Sequence, residues 1–364
     1  MSLVLSVLDQ APIASGRTPA EAVGETLALA RHADALGFRR YWLAEHHSSG
    51  SLACAAPEVL IAAIAATTPR IRVGSAGVML PHYASLKVAE QFRMLEAIAP
   101  GRIDLGVGRA PGSDGRTAYA LNPNAGEAAE RFPQQVSELL GWLGEGLPEN
   151  HPYRAVTAQP AVPTRPEVWV LGSSDYGAQV AAYFGLPYCF AHFITDGRGG
   201  EEAMAAYRES FRPWGLAPAD GRGDGAAAAP AARPGRLGAP HAALGVFALA
   251  ADTEAEARRL FASRALWRLS RDRGVYPPLP SLAEADAHPY TEAERAKVER
   301  LRERAIIGTA AQVRERLESL AAAHGAAEVA VLTACHDPAA RRHSYTLLAE
   351  AFGLAGAQSR DVKS

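Results

Sequence analysis

Four stretches share one arrangement: apolar residues three or four apart, then a glycine, then four to six apolar residues in succession. They read ALARHADALGFRRYWLAE, FRMLEAIAPGRIDLGVG, AQVAAYFGLPYCFAHF and LESLAAAHGAAEVAVLT. Spacing of three and four places apolar side chains on one face of a helix. Glycine just past the last turn accepts the left-handed conformation that a Cβ disfavours. The runs behind it are apolar on both alternating positions, as in parallel strands buried on both faces. Each stretch therefore predicts a helix, a glycine cap and a strand. Further strands are predicted at 3–8, 71–78, 167–172 and 244–250, which makes eight.

Eight strand-and-helix units in one chain predict an α/β fold of the closed (β/α)8 TIM barrel type with insertions, a single domain over 1–364. An open doubly wound sheet is the alternative, and the count favours the barrel. Two stretches interrupt the repeat. Residues 217–240 are rich in Ala, Pro, Gly and Arg without apolar periodicity and read as a mobile insertion. Residues 271–291 carry aromatics and prolines and read as a lid-like segment or an ordinary surface excursion.

Composition narrows the setting. Of 364 residues, 48% are hydrophobic and 21% charged, enough for a large core, and the formal net charge is −2. With no long basic or acidic block, nucleic-acid and membrane-surface partners are disfavoured. Cys54, Cys189 and Cys335 are far apart and form no C-x-x-C pair, so neither a disulfide framework nor a thiolate zinc site is indicated. No apolar run approaches the roughly 20 residues of a membrane span. A cytoplasmic protein is expected.

In such a barrel, chemistry gathers at the C-terminal ends of the strands. Glu45, His46 and His47 follow the second strand, Arg109 the fourth, Gly172-Ser173-Ser174 the fifth and His192 the sixth, so four strands are expected to deliver polar groups to one mouth. No metal is expected: H-x-H, H-E-x-x-H and EF-hand patterns are absent, and strand alternation would point His46 and His47 to opposite sides. Gly106-Val107-Gly108 lacks the third glycine of a dinucleotide fingerprint, since Pro111 stands there. Those glycines are read as permitting close approach of the backbone. The Gly-Ser-Ser turn before a helix, with a guanidinium from a neighbouring strand, fits a phosphate. A plain serine N-cap is the competing explanation.

The stretches YWLAEHH, RVGSAGVMLPHYASLKVAEQFRMLEAIAPGRIDLGVGRAPG, LGSSDYGAQVAAYFGLPYCFAHF and IIGTAAQVRERLESLAAAHGAAEVAVLT resemble, in order and spacing, the bacterial-luciferase-like flavin-dependent monooxygenases. The resemblance spans nearly the whole chain outside the two insertions and favours the single-gene oxidoreductases over the light-emitting heterodimer. It implies a (β/α)8 barrel holding reduced FMN or, in one branch, F420. It assigns the phosphate to Arg109 and to the Gly172, Ser173 and Ser174 turn. A non-proline cis peptide at Ala76-Gly77 would lie against the flavin ring, and His46 would stand beside its reactive edge. Reaction with O2 would proceed through a flavin peroxide, with His46 moving a proton at its ordinary pKa of about 6.5. Glu45 would orient an imidazole or, more simply, pair with an arginine in the core.

The implied substrates are small organic molecules, aldehyde-like compounds or secondary metabolites among them. Reduced FMN would come from a separate flavin reductase, because no nicotinamide site is visible. A homodimer is expected through the helix at 57–69, which is apolar almost all round. Two positions depart from the light-emitting enzymes: Gly108 replaces a cysteine, and Gln134 falls where a second phosphate arginine stands. An F420-dependent hydride-transferring oxidoreductase and a non-catalytic flavin-binding protein are the alternatives.

Overall fold

All eight predicted strands form, and they close on one another through parallel hydrogen bonds. The computed structural model describes residues 3–213 and 237–354. The strands are β1 (Val4–Asp9), β2 (Arg40–Leu43), β3 (Arg72–Met79), β4 (Ile103–Gly108), β5 (Glu167–Gly172), β6 (Tyr188–Phe190), β7 (Ala242–Ala250), β8 (Ile306–Gly308) and β9 (Glu328–Leu332). Neighbours run β1 to β7 in sequence, then β7 pairs β9 and β9 pairs β1. The short β8 was not foreseen. It lies outside the ring, beside the C-terminal end of β7, with Ala248 opposite Ile306.

The double-sided apolarity of the strands has its explanation in two separate cores. Val7, Tyr41, Leu43, Val73, Leu105 and Val170 pack outward against the helices. Leu8, Trp42, Trp169, Cys189, Ala243 and Ala330 fill the interior of the barrel. Gly37, Gly185 and Gly325 cap their helices in the left-handed conformation, as expected. Gly101 does not. The helix Ser85–Ile98 already ends at Ala99, and Gly101 turns the chain two residues later.

The N-terminal end of the barrel is plugged by charge. Arg40 donates to Glu328 at 3.0 Å, to Asp104 at 2.9 Å and to Glu167 at 3.3 Å, so one guanidinium joins β2 to β4, β5 and β9. Arg72 donates to the other oxygen of Asp104 at 2.8 Å, and Trp42 donates its indole N–H to Asp104 at 2.9 Å. Burial alone would make Arg40 easier to deprotonate; Asp104, Glu328 and Glu167 outweigh it and hold the proton more firmly than usual. Such a buried cluster contributes little net stability when complete, but losing one member strands the opposite charge.

The 271–291 segment is anchored. Leu279 exchanges backbone bonds with Ile13 at 2.7 Å and Ser15 at 2.8 Å, and Trp267 donates to the Pro277 carbonyl at 3.1 Å. Residues 282–287 and 292–304 are helical. Of the 217–240 stretch, all but the last four residues lie outside the described residues.

Replacing Arg40 by Met should cost about 3–5 kcal/mol, because Asp104 and Glu167 would be left sharing Arg72, and Glu328 would keep only the His241 ring and the Ser6 hydroxyl. Urea unfolding at neutral pH reads this; a change under about 1 kcal/mol would mean the plug is not what holds this end together.

Candidate active site

The opposite end of the barrel opens into a cavity of about 760 Å³, within the range of small-molecule and cofactor sites. His46, Ala76, Gly77, Arg109, Gly172, Ser173 and Ser174 all line it, brought there from β2, β3, β4 and β5. Its floor is apolar, with Leu8, Trp42, Leu171 and Cys189.

β3 reaches the cavity through an irregularity. Its register against β4 shifts between Ser75 and Val78, and the Ala76–Gly77 peptide within the shift is cis, as the resemblance implied. The close approach inferred for Gly106 is to the neighbouring strand: a Cβ there would sit 2.2 Å from the Ser75 carbonyl oxygen.

An anion cradle follows β4 and β5. The Arg109 guanidinium lies 4.0 Å from the ring centre of Tyr176 and has no carboxylate partner among the described residues. Tyr176 was invisible to sequence reasoning as part of this site; its one signal is its place in the first turn of the helix Asp175–Phe184. Ser174 is the N-cap of that helix, yet its hydroxyl makes no capping bond. The plain serine N-cap therefore does not account for it. Two hydroxyls, the first-turn amides and a guanidinium are left facing one end of an apolar cavity. Donors of this kind fit a phosphate, and the apolar remainder fits a flat ring system.

β2 stops at Leu43, and residues 44–47 run irregularly, tied by Ala44 N–H to Asp9 and His46 N–H to Cys54, each at 2.9 Å. Strand alternation therefore does not hold here, and His46 and His47 both line the cavity. His46 is deeply set, and its Nδ1 has no hydrogen-bond partner. Burial, reinforced by His47 and only partly offset by the Ala44 carbonyl, brings its pKa down to about 4. The ordinary value near 6.5 does not apply.

Among the described residues Glu45 finds no arginine. It pairs with His47 Nε2 at 2.7 Å, accepts the Tyr83 hydroxyl at 2.7 Å and the Met79 N–H at 3.1 Å, and is itself buried. His192 is not delivered to the mouth. It begins a short helix, His192–Thr195, and lines a separate charged groove, with its ring against His324; Phe193 and Ile194 face the cavity instead. Gln134 is exposed and bonded to Glu138. Trp267, Arg271, Gly274 and Tyr276 complete the rim. Among the described residues no group of three or more His, Cys, Asp or Glu side chains is placed to hold a metal.

A family profile described as luciferase-like monooxygenase matches residues 3–327. The chain is 35% identical over 347 residues to the N-acetyl-S-alkylcysteine monooxygenase of Bacillus subtilis (strain 168), covering 95% of this chain and 97% of that protein. The crystal structure of apo-MsnO8 is similar at TM-score 0.82 and 38% identity, over 97% of this chain and 98% of that one. The oxygenating constituent of 3,6-diketocamphane monooxygenase from Pseudomonas putida, in complex with FMN, shares the fold at TM-score 0.64 and 19% identity, over 98% of both chains.

A histidine whose folded pKa lies below its unfolded value binds fewer protons when folded, so its contribution is fully present above about 6.5 and is lost as pH falls toward 4. NMR titration should find the His46 ring neutral down to pH 5; a midpoint above 6 would contradict the burial argument.

Proposed function

Because the chain belongs to the luciferase-like monooxygenase family, we propose that it is a monooxygenase that uses reduced FMN and O2 to oxidise a small organic substrate. One observation carries the reading: a guanidinium without a carboxylate partner among the described residues, an N-cap serine hydroxyl that makes no capping bond, a side-chain-poor strand edge and an uncharged imidazole converge on one cavity. Reduced FMN, when bound, supplies the electrons with which O2 is activated. Arg109, Ser173, Ser174 and the first-turn amides bind its phosphate. Ala76 and Gly77 leave a flat wall for the ring. The apolar floor excludes water, which protects reactive oxygen chemistry from leakage.

His46 acts as a neutral imidazole. At neutral pH the resting ring is uncharged, so its unpartnered Nδ1 accepts a hydrogen bond in one tautomer and donates one in the other; taking up a proton would make the ring an imidazolium that must hand that proton on. Glu45 fixes His47 through Nε2, which leaves the other ring nitrogen of His47 as the one not held by Glu45. The chain carries no dinucleotide fingerprint, so a separate flavin reductase is the proposed source of reduced FMN.

Arg109→Ala should weaken FMN by about 100-fold while riboflavin, which lacks the phosphate, loses less than about threefold; an equal loss for both would end the phosphate assignment. In the same titration His46→Ala should keep the wild-type FMN affinity. Its bound reduced FMN should nevertheless reoxidise in air at least about tenfold faster, with release of H2O2. Unchanged reoxidation would remove the role of His46. Tight binding of F420 with no O2 uptake would transfer the protein to hydride chemistry. Flavin binding with neither activity would make it a carrier.

A homodimer is part of this proposal. The helix Pro57–Thr67 turns Val59 outward at 63% exposure, and Met94 and Ile98 of the adjacent helix Ser85–Ile98 are 53% and 46% exposed. An apolar face of that kind suits burial against a second copy. Sedimentation velocity should show a dimer at micromolar concentration and a monomer for Val59→Asp with Met94→Lys; a monomeric wild type would rule the dimer out.

A further inference from the structure

The cavity holds a second cation that the flavin reading does not use. Arg271 lines it from the end of the helix Glu254–Arg271, next to Trp267. Arg264 and Arg268 lie on the same face, seven and three residues earlier. Arg268 is held by both oxygens of Asp196, at 3.1 and 2.9 Å. Arg264 is buried with its guanidinium 4.0 Å from the Phe247 ring centre and has no carboxylate partner among the described residues. Burial, then Arg268 and Arg271, bring its pKa down to about 9. This face is short of negative charge.

Arg271 itself is loosely engaged. It reaches Asp272 only at 3.3 and 3.4 Å, while Asp272 pairs more closely with Lys297, at 2.7 Å. Nor do the carboxylates of the cavity wall answer it. Glu45 is taken by His47, Tyr83 and the Met79 N–H. Asp114 accepts from the Arg116 and Thr117 amides and the Thr117 hydroxyl. The same cavity wall carries the apolar side chains Trp267, Phe193, Ile194 and Tyr276.

We infer that the substrate is an organic carboxylate with an apolar body, its carboxylate paired with Arg271 at the helix end and its body against Trp267, Phe193 and Tyr276. This rests on the reading that Arg109 takes the flavin phosphate and leaves Arg271 for the substrate. A guanidinium meets a carboxylate in a two-point, charge-assisted bond, which a partly desolvated wall strengthens. Arg264 behind it, with no carboxylate partner among the described residues, adds to the attraction.

The test is calorimetric titration of the FMN-loaded protein with octanoate and with octan-1-ol, which share a chain and differ in charge. Octanoate should bind at least about tenfold more tightly. Arg271→Gln should abolish that difference and leave FMN affinity within about twofold of wild type, and Arg271→Lys should retain part of the preference. Equal binding of acid and alcohol by the wild type overturns the inference, as does a preference that survives Arg271→Gln. A loss of FMN affinity in Arg271→Gln would assign the residue to the cofactor and overturn it too. If the wild type fails to bind FMN, the flavin reading falls, and the acid-against-alcohol contrast in flavin-free protein still decides this one.

Discussion

The N-terminal end of the barrel closes around the buried guanidinium of Arg40. Arg40 reaches carboxylates on three other strands, and its partner Asp104 is shared with Arg72 and Trp42. A bidentate charge pair in low dielectric tolerates little displacement. The plug therefore sets the heights of β2, β3, β4, β5 and β9 relative to one another. The positions of the opposite strand ends follow from those heights, and the cavity is built from them.

The two ends of the barrel treat polarity in opposite ways. At the N-terminal end nearly every charge is answered by another within the chain. At the C-terminal end Arg109 has only an aromatic face, Ser174 caps nothing with its hydroxyl, and His46 Nδ1 has no partner. Arg109 and Ser174 are exposed, so their open donors stand available to a ligand, while the buried His46 Nδ1 is the kind of group whose bonding a bound molecule completes.

Much of this was legible in the sequence, for a physical reason. In a parallel barrel the chain order forces all strand ends of one sense to one face, so residues as distant as His46 and Ser174 could be assigned to a common cavity from position alone. Failures came where a local ending broke the rule. β2 stops at Leu43, so strand alternation no longer separates His46 from His47; β6 stops at Phe190, and the helix that follows turns His192 away. β8 has three residues, too few for a periodic signal. The ionic plug leaves a trace, a charged residue at the first or second position of β2, β3, β4, β5 and β9, but one charge per strand does not say which strands its partners lie on. Tyr176 left only its place in the first turn of its helix, because its part depends on a through-space stack with Arg109.

That stack has a consequence for recognition. A free arginine side chain samples many rotamers, and a ligand that captures it must first restrict them. Resting on Tyr176, the Arg109 guanidinium has surrendered much of that freedom during folding, with its N–H edges still open around the ring plane. Capture of an anion there draws on a preorganised group. The strength of the grip is then governed in part by a phenol ring that needs no contact with the anion itself.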